Sequence, residues 1–130
     1  MTRRRLEHHG ARELVADLAS AAANAPDEAA KVVKRGAENV KKDAQRRVTG
    51  LKRLPHYPRA IGYDVVRRGT VAEATVGPDT RKRQGSLGHL VELGSPTSAP
   101  HPHMGPAGDA EEPKFTKAME DLAVRLVEGR

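Results

Sequence analysis

The sequence predicts an α+β fold, in which a long N-terminal amphipathic helix and a C-terminal helix pack on a small antiparallel sheet. Three observations carry this. Ala29, Val33, Ala37, Val40, Ala44 and Val48 fall four or three residues apart, the spacing of one helix face. Residues 60–77 alternate with period two about a central Gly69. The last twenty residues return to helical spacing. A chain of 130 residues suits one domain.

In chain order, residues 1–10 are polar and read as a flexible arm, and residues 11–130 as the single domain. Residues 11–23 predict a short helix, with Leu14, Val15, Leu18 and Ala22 near helical spacing. Asn24, Ala25 and Pro26 break it. Asp27 and Glu28 then fill the first turn of the long helix, where the dipole favours anions. Its cations thicken toward the C-terminal end, and Gly50 stops it. Residues 51–58 predict a loop, because Pro55 and Pro58 bias their predecessors away from helix. A strand comes next at residues 60–68, with Ile61, Tyr63 and Val65 on one face. Gly69 turns the chain, and the strand at 70–77 returns with Ala72, Ala74 and Val76 on one face.

Residues 81–85 are a basic loop. Residues 86–94 contain Leu87, Leu90, Val91 and Leu93, a run too short for periodicity to separate helix from strand. Residues 95–106 are rich in Pro, Ser, His and Gly and predict an extended, semi-rigid loop. The closing helix is predicted over about 108–128, with Phe115, Ala118, Met119, Leu122 and Leu126 as its stripe. Pro113 belongs only in a first turn, which moves the expected start toward Glu111.

The supply of core residues is thin: one Phe, two Tyr and no Trp. Ala buries little area at about 25 cal/mol per Å². A chain of this kind is expected to complete its stability against neighbours. The net charge is +6. The surplus is concentrated in the long helix, in Arg3 to Arg5 and in Arg81, Lys82 and Arg83. Such runs are ordinarily solvated faces, and they also suit acidic or nucleic-acid partners.

Cysteine is absent, which removes disulfides and thiolate sites. No apolar run reaches the roughly 18 residues of a membrane span, and no apolar stretch comes after the N-terminal arginines to make a secretory signal. Ser86, Ser95 and Ser98 lack a nucleophile elbow. Gly85 to Gly88 lacks the lysine of a phosphate loop. The residues therefore predict no enzyme, no cofactor and no metal. His101 and His103, with His8 and His9 elsewhere, read as polar loop residues, since a metal needs about four convergent ligands. Glu92 has two readings: an anchor for an Arg or for backbone N–H groups, or the solvent-facing member of a short element. Gly94 is expected to serve a backbone conformation that other residues resist.

The run Gly88-His89-Leu90-Val91-Glu92-Leu93-Gly94-Ser95, then Pro102-His103-Met104-Gly105-Pro106-Ala107 and a closing helix, resembles a signature of phage neck proteins, also called head–tail joining or tail-completion proteins. That signature reads aromatic or small, His, a hydrophobic pair, Glu, Phe, Gly, Thr, then a proline loop with a Pro-aromatic-hydrophobic-x-Pro-Ala step. The resemblance covers about residues 28–127. Leu93 replaces the usual aromatic, Ser95 the usual Thr and His103 the usual Phe. It implies a structural virion protein at the head–tail junction, assembled in the host cytoplasm. The implied partners are the portal-side adaptor or stopper, the tail terminator and the tail tube, and the implied state is a homo-oligomeric ring close to the DNA path. The candidate partner-binding residues are Arg81, Lys82, Arg83, His89, Glu92, Gly94, Pro102, Met104 and Pro106. A basic nucleic-acid-binding protein is the alternative that the residues leave open.

Overall fold

The computed structural model describes residues 26–69 and 71–128. The expected arm at 1–10 and helix at 11–23 lie outside the described residues. Helix α1 (Pro26–Val48) is followed by a single turn of helix, α2 (Tyr57–Ala60), then by strands β1 (Ile61–Arg68) and β2 (Val71–Pro78). A 3₁₀ turn (Gly85–Leu87) leads into α3 (Gly88–Leu93), and α4 (Met104–Glu128) closes the chain. The α+β architecture is the one the sequence predicts.

Helix α1 is the spine. Its predicted stripe is buried throughout, with Gly36 added. The first half of that stripe, Ala29, Val33 and Ala37, shares one core cluster with Ala72 and Ala74 of β2 and with Phe115, Met119 and Leu122 of α4. The second half, Val40, Ala44 and Val48, shares another with Tyr57, Ile61, Val91 and Ala107. One helix therefore ties the hairpin, the α3 corner and the closing helix together. Gly36 is needed where α1 and α4 approach most closely, because a Cβ there would stand 3.0 Å from the Phe115 ring. Gln45 fixes the end of α1 to helix α2 and the start of β1, donating from Nε2 to the carbonyls of Pro58 and Ile61 at 3.0 and 3.3 Å.

The hairpin is antiparallel, in a register that runs from Ile61 opposite Pro78 to Arg68 opposite Val71. Ala72 and Ala74 are buried against the helices, while Val66 and Thr75 face outward and are exposed. At the turn end Arg67 pairs with Asp27 of α1 at 2.7 Å.

Two expectations change and one open reading is resolved. Tyr57 and Pro58, placed in a loop by the prolines, begin the short helix α2. The ambiguous run at 86–94 is helical. The closing helix begins at Met104, not near Glu111, so the predicted proline loop ends at His103 and Pro106 lies in the first turn of the helix. Pro113 sits within the helix, at its tenth residue. Of the predicted stripe in α4, Phe115, Met119 and Leu122 are buried, but Leu126 is 41% exposed. The physical reason for the early start lies in Glu92.

Candidate functional site

A helix begins with N–H groups that no intrahelical carbonyl can accept. In α4 those of His103, Met104 and Gly105 all point at one carboxylate, that of Glu92, at 3.0, 2.9 and 3.1 Å. Pro106 has no N–H to satisfy. Glu92 thus caps the closing helix from another helix, 11 to 13 residues upstream. This settles its two readings in favour of the backbone anchor.

The path between them is held at several points. Gly94 ends α3 at φ +77, a conformation that favours glycine, and a Cβ there would lie 2.7 Å from the Pro100 nitrogen. The chain turns back on itself through a Ser95–Ser98 bridge, and His101 N–H donates to the Val91 carbonyl at 2.7 Å.

His103 completes the corner. Its side chain is fully buried, which corrects the reading of His103 as a polar loop residue. Nδ1 faces two acceptors, the Glu92 carboxylate at 2.9 Å and the His101 carbonyl at 3.0 Å. Nε2 lies 2.6 Å from the Tyr57 hydroxyl, and the two rings meet edge to face at 82°. Since Nδ1 faces only acceptors, it carries the proton, and in the neutral ring Nε2 accepts from Tyr57. Burial, helped by the Glu92 charge, pushes the Tyr57 pKa up, so its proton stays available for that bond. Burial would raise the Glu92 pKa too, but the His103 side chain and the three backbone N–H groups outweigh it and hold Glu92 at about 2.

A Glu–His–Tyr chain resembles a proton relay, but Tyr57 and His103 are both fully buried. No substrate reaches either ring, so the chain of hydrogen bonds holds three segments in place. Among the described residues no group of three or more His, Asp or Glu side chains is placed to hold a metal. No described helix is long and apolar enough to cross a membrane.

The structure brings only some of the predicted site residues together. Glu92, Gly94 and Met104 build the corner. His89 and Pro102 are exposed beside it, and Pro106 is half-buried in the first turn of α4. Arg81, Lys82 and Arg83 lie on a separate exposed loop. Arg81 folds back on Asp79, donating from its backbone N–H, Nε and Nη2 at 2.9, 3.1 and 3.2 Å. Hydrogen bonds from the Arg81 side chain and backbone hold the Asp79 pKa down.

Sequence reasoning missed Tyr57, His103 and Gln84. Gln84 has φ +63 and bridges the basic loop to residues 53–56, accepting from His56 N–H at 2.8 Å and donating to the Arg53 carbonyl at 3.0 Å. Nothing in the local pattern marks these three, because the Gln84–His56 and Tyr57–His103 partners stand 28 and 46 residues apart. Leu90 and Leu93 also escaped notice as surface residues, and α3 leaves them 51% and 53% exposed.

The fold and this corner define a small α+β domain whose interior is tied together by hydrogen bonds at Glu92, His103 and Tyr57. Over residues 12–94 the chain matches the HK97-gp10-like family, described as "Bacteriophage HK97-gp10, putative tail-component". The match covers more than half of the chain, and the chain belongs to this family, a phage structural class. The matched region contains the helices and hairpin through the end of α3, including Gly88 to Gly94 of the resembling signature. The proline loop and α4 lie beyond it. Comparison with the curated proteins and with the solved structures returns no match.

Proposed function

We propose that the protein is a non-enzymatic component of the phage neck, which joins head and tail by binding adjacent ring proteins and itself assembles as a ring in the host cytoplasm. Residues 11–130 act as one domain, with 1–10 as an arm. The partners are the portal-side adaptor or stopper, the tail terminator and the tail tube. Family membership supports the class. The observation that carries the binding reading is the exposure of Leu90 and Leu93 on a helix that Glu92, lying between them, ties to the start of α4. Exposed apolar side chains on a fixed scaffold suit recognition. The contacts are then made by the exposed members of the predicted set, His89, Pro102 and Arg81 to Arg83, together with Leu90 and Leu93. Glu92, Gly94 and Met104 hold that surface in shape.

The test is phage carrying Leu90→Ser with Leu93→Ser, or a loop shortened at residues 96–99. The expected outcome is filled heads and separate tails by electron microscopy. Normal infectious particles would contradict the reading.

A second reading rests on the cations of α1, although Lys31 pairs with Glu28, and Arg46 and Arg47 with Asp43. Lys34 and Lys42 are exposed on the same helix. A nucleic-acid-binding role predicts duplex affinity that falls steeply with salt. Salt-insensitive or absent binding removes it.

A further inference from the structure

Two basic loops far apart in sequence meet at Gln84. Residues 51–56 carry Lys52 and Arg53, and residues 79–84 carry Arg81, Lys82 and Arg83. The Gln84 side chain joins them, accepting from His56 N–H and donating to the Arg53 carbonyl. The second loop is also closed on itself. Asp79 N–H donates to the Ala60 carbonyl, Lys82 N–H to the Asp79 carbonyl and Gly85 N–H to the Lys82 carbonyl, at 2.8, 3.0 and 2.9 Å. Gly85 is required there, because a Cβ would stand 1.8 Å from the Asp79 carbonyl oxygen. The two loops therefore present their cations from a fixed backbone.

Those cations differ from the ones on α1. Lys31, Arg46 and Arg47 are each paired with a carboxylate of their own helix. Lys52, Arg53, Lys82 and Arg83 are all exposed, and none of them makes an ion pair among the described residues. The carboxylate nearest in sequence, Asp79, is taken by Arg81.

We propose that the joined loops form one surface for the phosphate backbone of a nucleic-acid duplex, with Lys52, Arg53, Lys82 and Arg83 as its contacts. Uncompensated cations on a fixed backbone suit phosphates, which are bound by charge and position rather than by sequence. A protein interface would need an apolar core. Neither loop supplies one, since the large apolar side chains exposed among the described residues all lie elsewhere, Leu90 and Leu93 on α3 among them. A single strand would need rings on which its bases stack, and the adjacent ring, Tyr57, is fully buried. The inference rests on the nucleic-acid reading above and moves its site from α1 to these loops. It leaves His89, Leu90, Leu93 and Pro102 to protein partners.

Anisotropy of a labelled DNA duplex, titrated with the full-length protein across a salt series, tests it. Four phosphate contacts predict a log–log slope of about −3.6 against salt. Lys82→Ala with Arg83→Ala should weaken binding by about tenfold at low salt and flatten the slope by about two. Lys34→Ala with Lys42→Ala removes the same charge from exposed positions of α1 and should change affinity by less than about twofold. Gln84→Gly keeps all four cations and accepts φ +63, but it removes the bridge and should cost about threefold. Equal losses from the two double variants, or unchanged affinity in Gln84→Gly, would overturn the joined surface while leaving nucleic-acid binding in place. Absence of salt-dependent binding by the wild type would overturn both. Polyglutamate that displaces the labelled duplex as well as unlabelled duplex of equal charge would assign the surface to an acidic protein instead.

Discussion

Two carboxylates on the inner side of this molecule behave in opposite ways. Glu92 is surrounded by donors, three backbone N–H groups and an imidazole N–H, and its pKa is held at about 2. Glu111, in mid-helix at the α1/α4 contact, is 7% exposed and accepts a hydrogen bond from Asn39 Nδ2 at 3.0 Å. Burial dominates there and raises its pKa, despite Asn39 and the Lys114 charge. Both residues lost water on folding. The difference is what replaced it. A helix N-terminus offers several N–H groups that need an acceptor, whereas mid-helix the N–H groups are already committed. Glu92 is therefore part of what holds the fold, and Glu111 is a charge the fold tolerates.

The largest expected effect is at Glu92. Glu92→Ala orphans three backbone N–H groups and leaves the His103 Nδ1–H with the His101 carbonyl alone, and a fall from 4.5 to about 2 corresponds to about 3 kcal/mol. Because the folded-state pKa is depressed, this stability is fully present above about pH 4.5. It is lost as the pH falls toward 2. Denaturant titrations at several pH values should show a slope in that window for the wild type, and Glu92→Ala should reduce it, leaving the part due to Asp79. A variant as stable as the wild type at neutral pH would break the comparison.

Next comes His103, which stands where the resembling signature has Phe. His103→Phe removes one donor from Glu92 and leaves the Tyr57 hydroxyl without its acceptor, at a cost of about 1–3 kcal/mol. Adding Tyr57→Phe should recover part of that loss, because replacing both partners leaves nothing unsatisfied. Strictly additive losses in the double-mutant cycle would mean that the Tyr57–His103 bond carries no coupling. Tyr57→Phe alone should cost about 1 kcal/mol.

The smallest effect, and the one of opposite sign, is at Glu111. Its raised folded-state pKa means that its contribution is present below about pH 4.5. That contribution is lost as the pH climbs through the folded value. Glu111→Gln keeps an acceptor for Asn39 and sheds the charge, so at neutral pH it should be neutral or stabilising by a few tenths to about 1 kcal/mol. A loss as large as that of Glu92→Ala would make the two carboxylates equivalent and contradict the distinction.

Legibility in the sequence divides along the same line. The α1 stripe and the hairpin were readable because burial there repeats with the period of the backbone. The start of α4 was not. A helix start is recognised from a local cap, and here the cap is a glutamate on another helix. Pro113 pointed the other way, toward a start that the structure does not have. His103 looked like a loop histidine because its partners, Tyr57 and Glu92, are 46 and 11 residues away. The Glu92 and Gly94 positions were reachable through the resembling signature, which records such distant constraints. Leu90 and Leu93 could not be placed until the run at 86–94 was known to be helical.

The central claim is that this chain is a built-in part of the phage junction, and mass spectrometry of purified particles tests it most directly. Intact particles and heads separated from their tails would be compared for this chain. The account predicts a fixed, low copy number in intact particles, retained with one of the two parts after separation. A chain found only in infected-cell lysate, and in neither part of the particle, would contradict it.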